Sequence, residues 1–267
     1  MIEKTIKILN SKKWYKNRLA HIELLKPQKP LYGDTKAILP QYIKNYLQKN
    51  NIKLYKHQCD AIDHLRSGKN ITITTPTASG KTLAFNIPVF EKLIQNNKAS
   101  AMYIYPAKAL ANDQLKSMKE LEKYCGTKLN PAVYDGDTPK EQKRKIRKES
   151  RIIITNPYEL HNVLPWHHQW ENFLSNLKFV VIDEAHQYRG VFGSNVAFLI
   201  RRFLRICNYY GSNPQFVLST ATLANPIEFS EKLTGLKFEL ISQDGSPKGK
   251  KHFIFYFYAL FFVFYVF

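Results

Sequence analysis

Six short apolar runs, at residues 71–74, 101–105, 132–134, 151–154, 179–182 and 215–218, punctuate this chain at intervals filled by helix-like spacing. Their β-branched, nearly continuous apolar character predicts strands covered on both faces. Between them, Ala61, Ile62 and Leu65, then residues 84–94, then Val196, Leu199, Ile200, Phe203 and Leu204 repeat with the period of amphipathic helices. Strand, helix and strand in succession predict βαβ units. The expected fold class is therefore α/β, a mostly parallel central sheet with helices on both faces and ligands at the carboxyl ends of the strands.

The flanks follow other patterns. Residues 1–53 are lysine-rich, broken by Pro27, Pro30 and Gly33, and carry one helical pattern through Ile38, Tyr42, Ile43, Tyr46 and Leu47; they read as an accessory extension ahead of a domain at 54–241. Residues 242–267 read as an exit linker with a hydrophobic tail. From Phe253 onward the tail is uncharged and shorter than a typical membrane span, so a tail anchor, a buried strand and a shifted or truncated reading frame all stand as readings, the last preferred. A membrane partner is not expected.

Charge adds a partner class. Forty Lys and Arg against 21 Asp and Glu give a net +19, which suits a polyanion such as DNA or RNA, although lysine-rich codon usage gives the same number. Cys59, Cys125 and Cys207 share no paired spacing, so neither a disulfide framework nor a zinc site is suggested, and a reducing, cytoplasmic setting is expected. The first residues lack the pattern of a secretory signal.

Chemistry concentrates at the strand ends. After residues 71–74 comes Thr75-Pro76-Thr77-Ala78-Ser79-Gly80-Lys81-Thr82, a phosphate-cradling turn in which backbone N–H groups of Thr77, Ala78, Ser79 and Gly80 face an anion. Lys81 would meet the β- and γ-phosphates of ATP, and Thr82 a magnesium ion. Thr75 and Ala78 stand where glycines are often found. Upstream, the Gln58 amide offers the donor and acceptor that an adenine edge needs, or is a polar helix residue. After residues 179–182, Asp183 can hold magnesium and Glu184 can orient or deprotonate the attacking water.

Lys108 at the start of a helix, and Thr155-Asn156-Pro157 after another strand, are placed to meet a nucleic-acid phosphate, or to be ordinary helix starts. The basic run Lys140, Lys143, Arg144, Lys145, Arg147 and Lys148 reads first as a solvated face. Trp166, His167, His168 and Trp170 suit packing rather than metal binding, because adjacent histidines do not share a helix face. The hydroxyls of Ser219-Thr220-Ala221-Thr222 are expected to bond the Asp183 and Glu184 carboxylates.

Taken in order, Gln58, Gly80-Lys81-Thr82, Pro106-Ala107-Lys108, Thr155-Asn156-Pro157, Asp183-Glu184-Ala185-His186 and Thr220-Ala221-Thr222 resemble the first RecA-like domain of superfamily 2 DEAD/DEAH-box helicases. Tyr188-Arg189-Gly190-Val191-Phe192-Gly193-Ser194 and Tyr134-Asp135-Gly136-Asp137-Thr138 are similar to the Hrq1/YprA (MrfA) group of DNA-repair helicases. The resemblance implies a P-loop NTPase using ATP and Mg2+, with His186, Thr220 and Thr222 coupling hydrolysis to strand movement. It places Lys108, Thr155 and Asn156 along a nucleic-acid track, with DNA favoured over RNA. It also implies a second RecA-like domain, which this sequence lacks, so the chain is expected to bind Mg-ATP without unwinding alone. The alternatives are an RNA-dependent ATPase and a catalytically silent nucleic-acid-binding fragment.

Overall fold

The computed structural model describes residues 2–13, 15, 18–258 and 261–266. The chain divides into two compact units, one of residues 32–244 and one made from residues 1–31 with 245–267. In the smaller, β1 (Leu19–Leu25) pairs antiparallel with β9 (Lys251–Tyr258), which pairs antiparallel with β10 (Phe261–Val266). The hydrophobic tail thus runs as strands. His252, Ile254 and Tyr256 alternate inward along β9 while Phe257 points out, the period of two that a half-covered strand requires. Tyr256 is fixed further by Tyr15, whose ring centroid lies 4.9 Å away, and by donating its hydroxyl to Asn10 Oδ1 at 3.0 Å.

The larger unit holds β2 (Ile71–Thr74), β3 (Ser100–Ile104), β4 (Ala132–Val133), β5 (Ile152–Thr155), β6 (Leu177–Ile182), β7 (Gln215–Thr220) and β8 (Glu239–Ile241). They form one sheet in the order β4-β5-β3-β6-β7-β2-β8, with every ladder parallel. Six of these strands were legible as apolar runs. β8 was not, because a three-residue edge strand with two exposed positions carries almost no pattern.

Alternation along each strand feeds two cores, one per face. Ile71, Ile73, Tyr103, Val181 and Val217 pack with Ile62, Phe85 and Phe90 on one side. Met102, Ile104, Val180, Ile182, Phe216 and Leu218 pack with Trp170, Leu199 and Phe203 on the other. Trp170 is therefore a packing residue, its ring edge-on to Tyr134 at 4.7 Å, and His167 Nδ1 meets the Tyr210 hydroxyl at 2.8 Å. Among the described residues no group of three potential metal ligands exists, and no helix is long and apolar enough to cross a membrane.

The larger unit starts at Tyr32 rather than Leu54. The Gln41–Lys49 helix buries Ile43, Tyr46 and Leu47 in the first core, so half of the expected accessory extension is structural support for the sheet. The basic Lys140–Glu149 helix buries no residue, as a solvated face should, yet Lys143 reaches in to Glu159 at 2.6 Å and Arg147 donates to the Tyr134 hydroxyl at 3.0 Å.

Candidate nucleotide and nucleic-acid site

Because every strand of the large sheet runs the same way, all its carboxyl ends lie along one edge. β7 separates β2 from β6, and the register pairs Thr74 with Thr220 and Leu218 with Ile182. The turn after β2, residues 219–220 at the end of β7, and Asp183-Glu184 after β6 are consequently neighbours in that row.

The turn after β2 is held by its own polar groups. Thr75 and Ser79 join hydroxyl to hydroxyl at 2.6 Å across the loop, which gives Thr75 a structural task that a glycine could not perform. Ala78 adopts φ 63°, the left-handed conformation usually filled by glycine, and so keeps the loop shape despite its methyl group. Gly80 has φ 79°, and a Cβ there would fall 2.6 Å from Gln58 Nε2; only glycine fits. Pro76, Thr77 and Ala78 are exposed at the crest. Lys81 opens the Lys81–Gln95 helix and folds back, donating to the carbonyls of Thr75 at 2.7 Å and Pro76 at 3.1 Å. Burial pulls its ammonium below the ordinary lysine range, opposed by the nearby charges of Asp183, Glu184 and Asp244.

Gln58 is 2 % exposed and already bonded. Its Oε1 accepts from Tyr55 N–H at 2.8 Å and its Nε2 donates to the Gly80 carbonyl at 2.7 Å, which fixes which end of the amide is which. One N–H and one lone pair of that amide remain, enough for a two-point contact with an adenine edge. His57, which the sequence did not single out, sits beside it fully buried, with Nε2 3.1 Å from the Ser79 carbonyl. Burial lowers its pKa, so it stays neutral near pH 7. The two residues together clamp consecutive carbonyls of the phosphate turn.

Asp183 is nine-tenths buried, and desolvation raises its carboxyl above the ordinary range, with the Ser219 hydroxyl, the Glu184 N–H and Lys81 pulling the other way. Glu184 N–H donates to Asp183 Oδ1 at 2.9 Å, and Glu184 itself adopts a φ of 50°. Such left-handed strain at a non-glycine residue costs about 1–2 kcal/mol and persists where surroundings enforce it. Thr82 accepts from Gln114 Nε2 at 3.3 Å, so the following helix also touches the site.

The link from the acids to β7 differs from expectation. Among the described residues neither the Thr220 nor the Thr222 hydroxyl bonds Asp183 or Glu184; Thr220 is fully buried without a side-chain partner and Thr222 is exposed. Side chains alternate along β7, which turns Ser219 rather than Thr220 toward Asp183, near enough to act on its charge though outside normal hydrogen-bond geometry. His186 makes the other link. Its Nδ1 lies 3.4 Å from the Ala221 N–H and 3.2 Å from Glu184 Oε2. One nitrogen can accept from the first or donate to the second, never both at once, so the proton on His186 selects its partner.

The nucleic-acid candidates are occupied with structural duties. Lys108 is exposed but ion-paired to Asp137, in a turn braced by Asp135 Oδ1, which accepts from the N–H groups of Asp137 at 3.0 Å and Thr138 at 3.1 Å. Asn156 Oδ1 caps the Pro157–Val163 helix by accepting from Glu159 N–H at 2.9 Å, and Thr155 is 5 % exposed. A broad groove of about 710 Å³, lined by Arg66, Asn70, Glu91 and Gln215, lies at the amino-terminal edge of the sheet, away from this row of strand ends.

A family model described as DEAD/DEAH box helicase matches residues 55–229. The uncharacterized ATP-dependent helicase YprA of Bacillus subtilis is 46% identical over 220 residues, covering 82% of this chain and 29% of the relative. ATP-dependent helicase HRQ1 of Saccharomyces cerevisiae is 39% identical over 261 residues, covering 95% of this chain and 24% of its own. The crystal structure of helicase MrfA bound to DNA and AMPPNP matches with a TM-score of 0.90 and 39% identity, over 98% of this chain and 37% of that one. The chain spans between 24% and 37% of the length of these three proteins.

Proposed function

The chain belongs to the DEAD/DEAH box helicase family, and from that membership we propose that residues 54–241 are the ATP-binding RecA-like domain of an ATP-dependent DNA helicase. The observation that carries the reading is the single row of strand ends in which β2 and β6, separated only by β7, present Lys81, Asp183 and Glu184 to one place. Similarity to a helicase crystallised with DNA and AMPPNP supports both ligands. Three buried, free cysteines fit a cytoplasmic setting.

In this reading the first-turn N–H groups of the Lys81–Gln95 helix receive the phosphates. Lys81 exchanges the carbonyls of Thr75 and Pro76 for phosphate oxygens, whose charge offsets the burial that lowers its basicity. Gln58 reads adenine with its remaining N–H and lone pair while still holding Gly80. Two carboxylates beside each other, one of them nine-tenths buried, are costly without a cation. The hard oxygens of Asp183 and Thr82 fit Mg2+, which when bound neutralises phosphate charge. Glu184 accepts the proton of the attacking water, and His186 relays the change to Ala221 by switching partner. Lys108, Thr155 and Asn156 lie at the strand ends where a nucleic-acid backbone would cross. Completing the reaction cycle needs a second RecA-like domain to close over this edge.

Titration with a fluorescent ATP analogue in the presence of Mg2+ tests the site: Lys81→Ala should lose binding, and equal binding by both proteins would sink the reading. ATPase stimulated by single-stranded RNA but not DNA would keep the nucleotide site and reassign the polymer.

A further inference from the structure

One exposed surface is left without a task by the nucleotide chemistry. Between the Pro157–Val163 helix and the Gly190–Tyr209 helix runs a groove of about 350 Å³ lined by Tyr158, Phe192, Phe198 and Leu199, with His161 and Arg202 beside them. Tyr158 is 72 % exposed and Phe198 68 %, while large aromatic side chains are normally buried for most of their surface. Tyr158 and Phe192 stack, with centroids 6.0 Å apart and planes at 23°, and Phe192 leans in turn on the buried Tyr188 at 5.7 Å. The pair is therefore backed from beneath and open above.

We propose that Tyr158 and Phe192 form a stacking platform for the bases of single-stranded DNA. This rests on the nucleic-acid reading above and goes beyond its backbone contacts. Three features choose this occupant over an apolar protein surface. Among the described residues no carboxylate lines the groove, whereas Arg202 and His161 do, and the chain as a whole carries +19. Arg189 is exposed at the start of the same helix that carries Phe192. The groove also begins at the carboxyl end of β5, one residue beyond Asn156, on the sheet edge where ligands of parallel sheets lie. Aromatic faces joined with cations and no acids are the composition that holds a single strand, bases on the rings and phosphates on the charges.

The expected yield is roughly 5- to 150-fold in affinity per stacked base. The test compares two fluorescent single strands of equal length, about twenty nucleotides, one oligothymidylate and one abasic throughout, which carry the same phosphates but differ in having bases. The full chain should bind oligothymidylate at least about 5-fold more tightly than the abasic strand. Tyr158→Ala should erase that difference without changing abasic binding or its salt dependence, and Tyr158→Phe should restore it. Because Tyr158 is exposed, its melting temperature should stay that of the wild type, and Phe198→Ala supplies a second exposed variant. Equal loss on both strands, or no loss on either, overturns the platform without overturning the nucleic-acid reading. Failure of the wild type to bind either strand overturns the nucleic-acid reading itself. Unchanged DNA binding by Tyr158→Ala with loss of self-association would give the groove to protein instead.

Discussion

Replacing Ala78 with glycine should stabilise the large unit, against the usual direction of such a change. Ala78 sits at φ 63° on an exposed crest, so the substitution opens no cavity and removes only a methyl group from a strained backbone. The left-handed conformation costs an L-residue about 1–2 kcal/mol. Against this stands about 0.4–1 kcal/mol for the extra freedom that glycine gives the unfolded chain. The balance is a gain of up to about 1.5 kcal/mol, centred near 1, which for a unit of this size lifts the melting temperature by about 2–4 °C per kcal/mol. Ala197→Gly, inside the Gly190–Tyr209 helix where φ is ordinary, should cost about 1 kcal/mol and serves as the control of opposite sign. Differential scanning calorimetry of both variants, without nucleotide, reads the contrast directly. A fall for Ala78→Gly comparable to that for Ala197→Gly would refute the left-handed geometry, and with it the explanation of how this turn keeps its shape without a glycine.

Asp183→Asn should raise stability. The folded chain holds the Asp183 proton more tightly than the unfolded chain does, so its ionised form weakens the fold increasingly as pH rises past the ordinary carboxylate value. In chelator at pH 7 the gain should be about 0.5–2 kcal/mol, shrinking to nothing once the carboxyl is protonated in both states; a lower melting temperature at pH 7 would contradict this. Arg66→Met should cost about 3 kcal/mol, because Glu91, 5 % exposed, would lose hydrogen bonds of 2.6 and 2.9 Å and remain a buried charge. Chemical denaturation should then find that adding Glu91→Met recovers most of the loss, whereas an equally unstable double variant would argue against the ion pair as the cause.

The residue types at the site were readable because each does chemistry that few others can do. A lysine and a hydroxyl after a β-branched strand, or two acids ending an apolar one, announce themselves. What failed to show were pairings that only the fold creates. The Thr75 to Ser79 brace turned a departure from the usual glycine into a support, and His57 gained its place only when the Lys56–Arg66 helix met the phosphate turn. The motif offered the hydroxyls of Ser219, Thr220 and Thr222 alike, while the alternation of β7 decides which side chain faces Asp183. The Gln41–Lys49 helix looked like an appendage because its apolar positions say that it is covered, without saying by what.

The pairing of β1 with β9 has a consequence in time. Leu25 and Lys251 are partners across 226 residues of chain, so a ribosome adding about 5–20 residues per second needs about ten to fifty seconds to deliver the second strand after the first. Throughout that interval β1 waits with both edges unpaired, and residues 32–244, already complete in sequence, have β8 in hand before β9 begins to emerge. The nucleotide-binding sheet can therefore close first, and the small unit assembles last from the two segments that flank it.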